Sequence, residues 1–171
     1  MIYTIGHSTR SLDEFVALLR AHDVVKLADI RSMPRSRRHP HFGIDELSVS
    51  LPAAAITYRH FPGLGGHRRA RPDSPNTAWR HEGFRGYADY MRTAEFERAL
   101  DDLLAFAGEA ATAIMCAEAV WWRCHRQLTA DALLARGIEV RHIVSDRQAA
   151  PHTLTEFARV EDGRVTYPGL I

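Results

Sequence analysis

Cysteine, lysine and long apolar runs are all scarce in this chain. Two cysteines in 171 residues are too few for a disulfide framework. Free thiols in a reducing compartment are the expectation, and with them a cytoplasmic location. No apolar stretch approaches the length of a membrane span, so no membrane partner is expected. The opening residues Met1-Ile-Tyr-Thr-Ile-Gly6 lack the basic region and cleavage site of a secretory signal. Walker and dinucleotide glycine motifs, internal repeats and low-complexity segments are also missing, and no cofactor is expected. Of the 22 basic residues only Lys26 is lysine. The arginines suit planar, bidentate capture of phosphate or carboxylate.

The net charge of +1 hides a segregation of sign. Residues 1–30 sum to −1, residues 31–92 to +6 and residues 93–171 to −4. The basic middle also holds five of the ten histidines.

The length suits one domain spanning 1–171. Residues 2–5 read as a strand. Ser11 and Glu14 form a capping-box pattern ahead of Leu12, Phe15, Val16 and Leu19 at helical spacing. Val24 to Ile30 is nearly continuous and apolar, as a strand covered on both faces requires. Strand, helix and strand in this order predict a parallel pair with a right-handed crossover. Residues 31–53 and 59–85 lack periodicity and read as loops flanking a third strand at 56–58. A short helix is predicted over 87–91. A longer one follows Thr93, with the stripe Phe96, Leu100, Leu103, Leu104 and Ala107. Strands follow at 111–116 and 138–143, separated by a helix over 124–136. Asp162-Gly163 marks a C-terminal hairpin. The fold class predicted is α/β: a mostly parallel, four- to five-stranded sheet with helices on both faces and a small C-terminal hairpin.

Ligand chemistry in such a sheet lies past the carboxyl ends of its strands. Four polar clusters fall there. The densest is Cys116-Ala-Glu118-Ala-Val-Trp-Trp-Arg123-Cys124-His125-Arg126. A thiol at a helix N-terminus beside arginines can ionise with a pKa of roughly 3.5–7.5. Cys116 and Cys124 are candidate nucleophiles, and Glu118 and His125 candidate acids or bases. The alternative makes Cys116 core packing, Cys124 a helix cap and Arg126 a partner of Glu118. A cysteine-phosphatase loop needs Arg six positions after Cys, but those positions hold Trp122 and Ala130. Zinc would need Cys116, Cys124 and His125 with His7, and the spacing lacks a close Cys pair.

Gly6-His7-Ser8 precedes a capped helix whose N–H groups can hold an anion. Arg31 and Arg35 open a basic loop and are candidate clamps, with Arg126, for phosphate or carboxylate. Gly65 and Gly66 permit close backbone approach. Trp121 and Trp122 can stack on a base or serve as wall and core.

These motifs resemble the domain-of-unknown-function 488 family. The resemblance rests on Thr4-Ile-Gly-His-Ser8, Phe15, Asp29-Ile-Arg31, Pro34-Arg35-Ser36, Tyr58 and Pro62-Gly-Leu-Gly-Gly66. It continues with Phe84-Arg-Gly-Tyr87, Met91, Cys116-Ala-Glu118, Cys124-His-Arg126 and His142-Ile143. It covers a core of about residues 1–145, leaving 146–171 as an extension. It implies a compact α/β domain and no established activity. Residues 117–123 depart from the commoner family pattern.

Three functions are considered from the residues. One is an enzyme acting on a phosphorylated, nucleotide or nucleic-acid substrate. Another is a non-catalytic module that binds a small anion or nucleic acid. A metal or redox sensor is the third.

Overall fold

The computed structural model describes residues 1–170. β1 (Ile2–Gly6), α1 (Leu12–Ala21) and β2 (Lys26–Asp29) form the predicted opening unit. The capping box is made: Ser11 Oγ accepts from the Glu14 N–H at 3.1 Å, and the Ser11 N–H donates to Glu14 Oε1 at 3.3 Å. Next come α2 (Ile44–Ala53), β3 (Thr57–His60), α3 (Glu82–Tyr90) and α4 (Ala94–Ala107). Thr93 caps α4 through the Phe96 N–H. β4 (Thr112–Cys116), α5 (Arg126–Ala135) and β5 (Val140–Ile143) complete the parallel core. β6 (Ala149–Pro151) follows, then the hairpin of β7 (Arg159–Glu161) and β8 (Arg164–Thr166). Asp162 and Gly163 both take positive φ, +51° and +74°, as a two-residue hairpin turn requires.

The main sheet has six strands in the order β3-β2-β4-β1-β5-β6. The first five run parallel, and β6 pairs antiparallel with β5 at the edge. This adds one edge strand to the expected sheet. Its three residues are too few to show a period of two.

The helices divide between the faces. Phe15, Leu19, Leu47 and Leu51 of α1 and α2 pack on Leu27, Ala113 and Met115. Tyr87, Phe96, Leu100 and Leu128 of α3, α4 and α5 pack on Ala28, Ile114 and Val140. The alternation of Leu27 with Ala28, and of Ala113 with Ile114, is the strand period facing two layers.

α2 corrects the expectation of a loop over 31–53. Pro52 sits in its last turn, where its missing N–H forgoes one bond, to the Ser48 carbonyl, and the helix ends one residue later. Leu47 and Leu51 are completely buried, each contributing about 1.5–3 kcal/mol. Val49 is 73 % exposed, so the apolar pattern is blurred. α3 begins five residues before the predicted 87–91, capped by His81 Nδ1 on the Gly83 N–H at 3.1 Å.

The stretch 61–81 is irregular but pinned. Asp89 accepts from the Arg71 N–H, the Ser74 hydroxyl and the Asn76 amide at 2.6–2.8 Å. The C-terminal extension packs into the core, with Ala158, Val165 and Tyr167 buried beside α5. No helix among the described residues is long and apolar enough to cross a membrane.

Candidate functional site

The connection from β1 through α1 leads toward β2, whereas that from β4 through α5 leads to β5 on the other side. β1 and β4 are neighbours, with Gly6 paired to Cys116. Their carboxyl ends therefore mark the topological switch point, where open α/β sheets bind ligands. A hollow of about 410 Å³ opens there. This volume falls in the range of small-ligand sites.

His7, Arg31, Arg35, Gly66, Cys116, Glu118, Cys124 and His125 line it, as their sequence clusters predict. Gly6, Ser8, Gly65 and Arg126 do not. Gly6 lies beneath the Cys116–Cys124 loop, and a Cβ there would collide with the Glu118 carbonyl. The His7 and Ser8 N–H groups are not offered to an anion. They donate to the Cys116 and Ala117 carbonyls at 2.9 Å and so tie the β1 turn to the β4 loop. Gly65 is buried against Ser32. Gly66 faces His125, whose Nδ1 would lie 2.7 Å from any Cβ.

Cys124 and His125 adjoin on the wall of the hollow. His125 Nε2 is 2.7 Å from the Ile30 carbonyl and must donate to it. Its Nδ1 lies 3.4 Å from Cys124 Sγ. The first backbone N–H of α5, from Arg126, also points at that sulfur at 3.4 Å. Burial alone would raise the Cys124 pKa. Hydrogen bonds from the Cys116 thiol and from His125, with the charges of His125 and Arg126, outweigh it and hold Cys124 well below the ordinary thiol range. Burial and the adjacent Cys124 push Cys116 well up. Of the two, Cys124 is the one that ionises more readily, while the Cys116 thiol also faces the Glu118 carbonyl at 3.9 Å. A thiol, an imidazole and a carbonyl that orients the imidazole are groups that nucleophilic catalysis can use.

Arg126 is only 1 % exposed and meets no carboxylate among the described residues. Its Nη2 donates to the Glu118 carbonyl at 2.7 Å, not to the Glu118 carboxylate. Its Nη1 reaches Thr4 Oγ1 at 3.4 Å. Behind Thr4 runs a buried chain whose donors are fixed in order. Arg cannot accept, so the Thr4 hydroxyl gives its proton to His142 Nδ1 at 2.6 Å. Burial first, then His152 and Arg126, lower the His142 pKa to about 3, so its ring is neutral. His142 Nε2–H therefore donates to His152 Nδ1 at 2.8 Å, and His152 Nε2–H to the Asp131 carboxylate at 2.7 Å. Trp121 stacks on His142 with centroids 4.3 Å apart. The loop that walls the hollow is thereby anchored twice, by Trp121 and by the Glu118 carbonyl. Trp121 is occupied by this stack, and Trp122 is exposed outside the hollow.

Arg31 forms the floor. Its Nε and Nη2 grip Asp29 at 2.9 and 2.7 Å, Nη2 also reaches the Phe42 carbonyl at 2.7 Å, and Nη1 approaches His7 Nε2 at 3.3 Å. Burial, and then the Arg31 charge, lower the His7 pKa to about 4 despite the bond from Nδ1 to the Ser8 carbonyl. His7 is a neutral wall with Nε2 as acceptor. The charge of Arg31 is largely met by Asp29. The uncommitted cations are Arg35 and Arg123, both exposed on the rim and in no ion pair among the described residues.

Arg123, His67, His81 and Phe84 also line the hollow and were not predicted as site residues. Arg123 was legible as the neighbour of Cys124. His81 and Phe84 come from the start of α3, far along the chain, and only folding brings them here. Among the described residues no group of three or more His, Cys, Asp and Glu side chains is placed to hold a metal ion. Cys116, Cys124, His125 and His7 therefore do not form the tetrahedral set considered from the sequence.

The family model for the domain of unknown function DUF488 matches residues 11–133. The chain belongs to this family. The matched span carries α1, the basic loops, both cysteines and most of α5; β1 with His7 and β5 with His142 lie outside it. No curated protein and no solved structure matches the chain.

Proposed function

We propose that the chain is an enzyme acting on a phosphorylated, nucleotide or nucleic-acid substrate, with Cys124 as nucleophile. The observation that carries this reading is the Cys124 sulfur, 3.4 Å from His125 Nδ1 and 3.4 Å from the first N–H of α5, inside a hollow whose free cations are arginines. Arg35 and Arg123 draw in the anionic part of the substrate, and Arg31 presents its remaining N–H on the floor. The sulfur forms a bond to the electrophilic atom, and the leaving group departs with its electron pair. His125 passes the proton it shares with the sulfur through Nδ1 to the leaving group, and then takes the proton of the water that later releases the adduct, with the Glu118 carboxylate as a second acceptor for that water. Cys116 holds the thiolate by donating its S–H. The free thiols favour the cytoplasm as the place of action.

A panel of sugar phosphates, nucleoside monophosphates and short oligonucleotides tests this by protection of Cys124 from iodoacetamide. At least one member at saturating concentration slows alkylation by about tenfold or more, as site occupancy at ten times its Kd requires. If no member slows alkylation, the reading is wrong. The second reading, a non-catalytic binding module, draws on the same two rim arginines. It predicts protection that survives with no covalent adduct on Cys124 and no change in any ligand.

A further inference from the structure

We propose that the substrate is a single-stranded nucleic acid, whose backbone continues from the thiol hollow into a second basic hollow at Arg68 and Arg69. The inference rests on the reading of the thiol hollow given above and extends it to a second phosphate subsite.

The second hollow, about 320 Å³, is lined by Gly66, His67, Arg68, Arg69 and Gly83. Gly66, His67 and Gly83 also line the first, so the two form one groove. The first hollow is already large enough for a nucleotide. A ligand that stops there leaves the second without purpose.

The charge in the second hollow is unopposed. No carboxylate lines it. Along the whole groove the single carboxylate is Glu118, against five arginines. Two of the five acidic side chains of the basic middle are engaged elsewhere: Asp73 pairs with Arg71, and Asp89 ties down the loop.

Arg68 is held ready. Its Nε and Nη2 donate to the Gly65 and Pro62 carbonyls at 3.3 and 3.2 Å, and its guanidinium lies 3.6 Å from the Tyr90 ring centre. Little side-chain entropy remains to be lost on binding a phosphate. Arg69 beside it is exposed, with no ion pair among the described residues.

Two of the three residues shared by the hollows, Gly66 and Gly83, have no side chain. Gly66 abuts the His125 ring, and a Cβ on Gly83 would sit 2.9 Å from the His81 ring. His81 and Phe84, 5.0 Å apart, present ring surface to the first hollow. Ring faces accept an unstacked base of any identity. A duplex keeps its bases stacked and cannot place one beside Cys124, which selects a single strand.

Fluorescence anisotropy with a labelled ten-residue oligothymidylate tests the second subsite, with thymidine monophosphate protection of Cys124 as the control. The oligonucleotide binds at least about tenfold more tightly than the mononucleotide and weakens with salt. Arg69→Ala lowers oligonucleotide affinity about three- to fivefold and flattens the salt slope by about 0.7. The same substitution leaves mononucleotide protection of Cys124 unchanged. Equal affinity for the two ligands, insensitivity to Arg69→Ala, or tighter binding of the matching duplex overturns the inference while protection by the mononucleotide leaves the thiol-site reading standing. Oligonucleotide binding that never protects Cys124 overturns both.

Discussion

Replacing Cys124 by serine is expected to abolish turnover, by at least about a thousandfold, while leaving the melting temperature within a few degrees of the parent. The hydroxyl is nearly the same size and occupies the same site at the start of α5, so packing changes little. What is lost is the ionised sulfur. Nothing else nearby can replace it, because the Cys116 thiol is pushed up by burial and is only 2 % exposed. The fast iodoacetamide reaction disappears with the same substitution. Cys116→Ala behaves differently. It removes a hydrogen bond to the Cys124 sulfur, so the pH midpoint of Cys124 alkylation moves upward while the reaction persists. Alkylation rates measured across pH 5 to 10 for both variants check this pair of outcomes.

The largest loss of stability is expected at Asp131, outside the hollow. Its carboxylate accepts from His152, from the Thr155 N–H and hydroxyl, and from the Tyr167 hydroxyl, at 2.6–3.0 Å. All four groups are deeply buried. Asp131→Ala leaves them without an acceptor and creates a void, so destabilisation of about 3–5 kcal/mol is expected. Urea unfolding followed by circular dichroism measures it. The damage reaches the site along a defined route. His152 loses its acceptor, His142 and Thr4 lose their fixed order, and Arg126 loses one of its anchors. The Cys124 midpoint is therefore expected to rise in Asp131→Asn, the milder variant, even where the fold survives.

The sequence carried the frame of this site better than its inner construction. Strand β4 is buried along its whole length and reads as an apolar run, and β2 reads as a nearly continuous one interrupted by Lys26 and Asp29. Ser11, Thr93 and Asp162-Gly163 mark their elements because each solves a local backbone problem. α2 escaped because Val49 faces solvent within a short apolar stretch that also contains a proline. The four polar loops were legible as one rim because a parallel sheet aligns its carboxyl ends.

Direction was the missing quantity for Arg126 and Gly6. An arginine at the first position of α5 can turn outward to a ligand or inward under the loop, and spacing does not distinguish these. It turns inward because the absent Cβ of Gly6 leaves space beside it, and the Glu118 carbonyl and Thr4 offer acceptors. The chain through Thr4, His142, His152 and Asp131 draws on β1, β5, the strand edge and α5. No local pattern could have linked four residues so far apart. The same holds for His81 and Phe84, brought to the hollow by a long loop that Asp89 pins.

The pH dependence of Cys124 alkylation in the unmodified protein tests the central claim most directly. The account predicts a rate that reaches half its maximum well below pH 8, because the hydrogen bonds to the sulfur and the charges of His125 and Arg126 hold Cys124 well below the ordinary thiol range. A midpoint at or above about 8.5, the value of an unperturbed thiol, would contradict it.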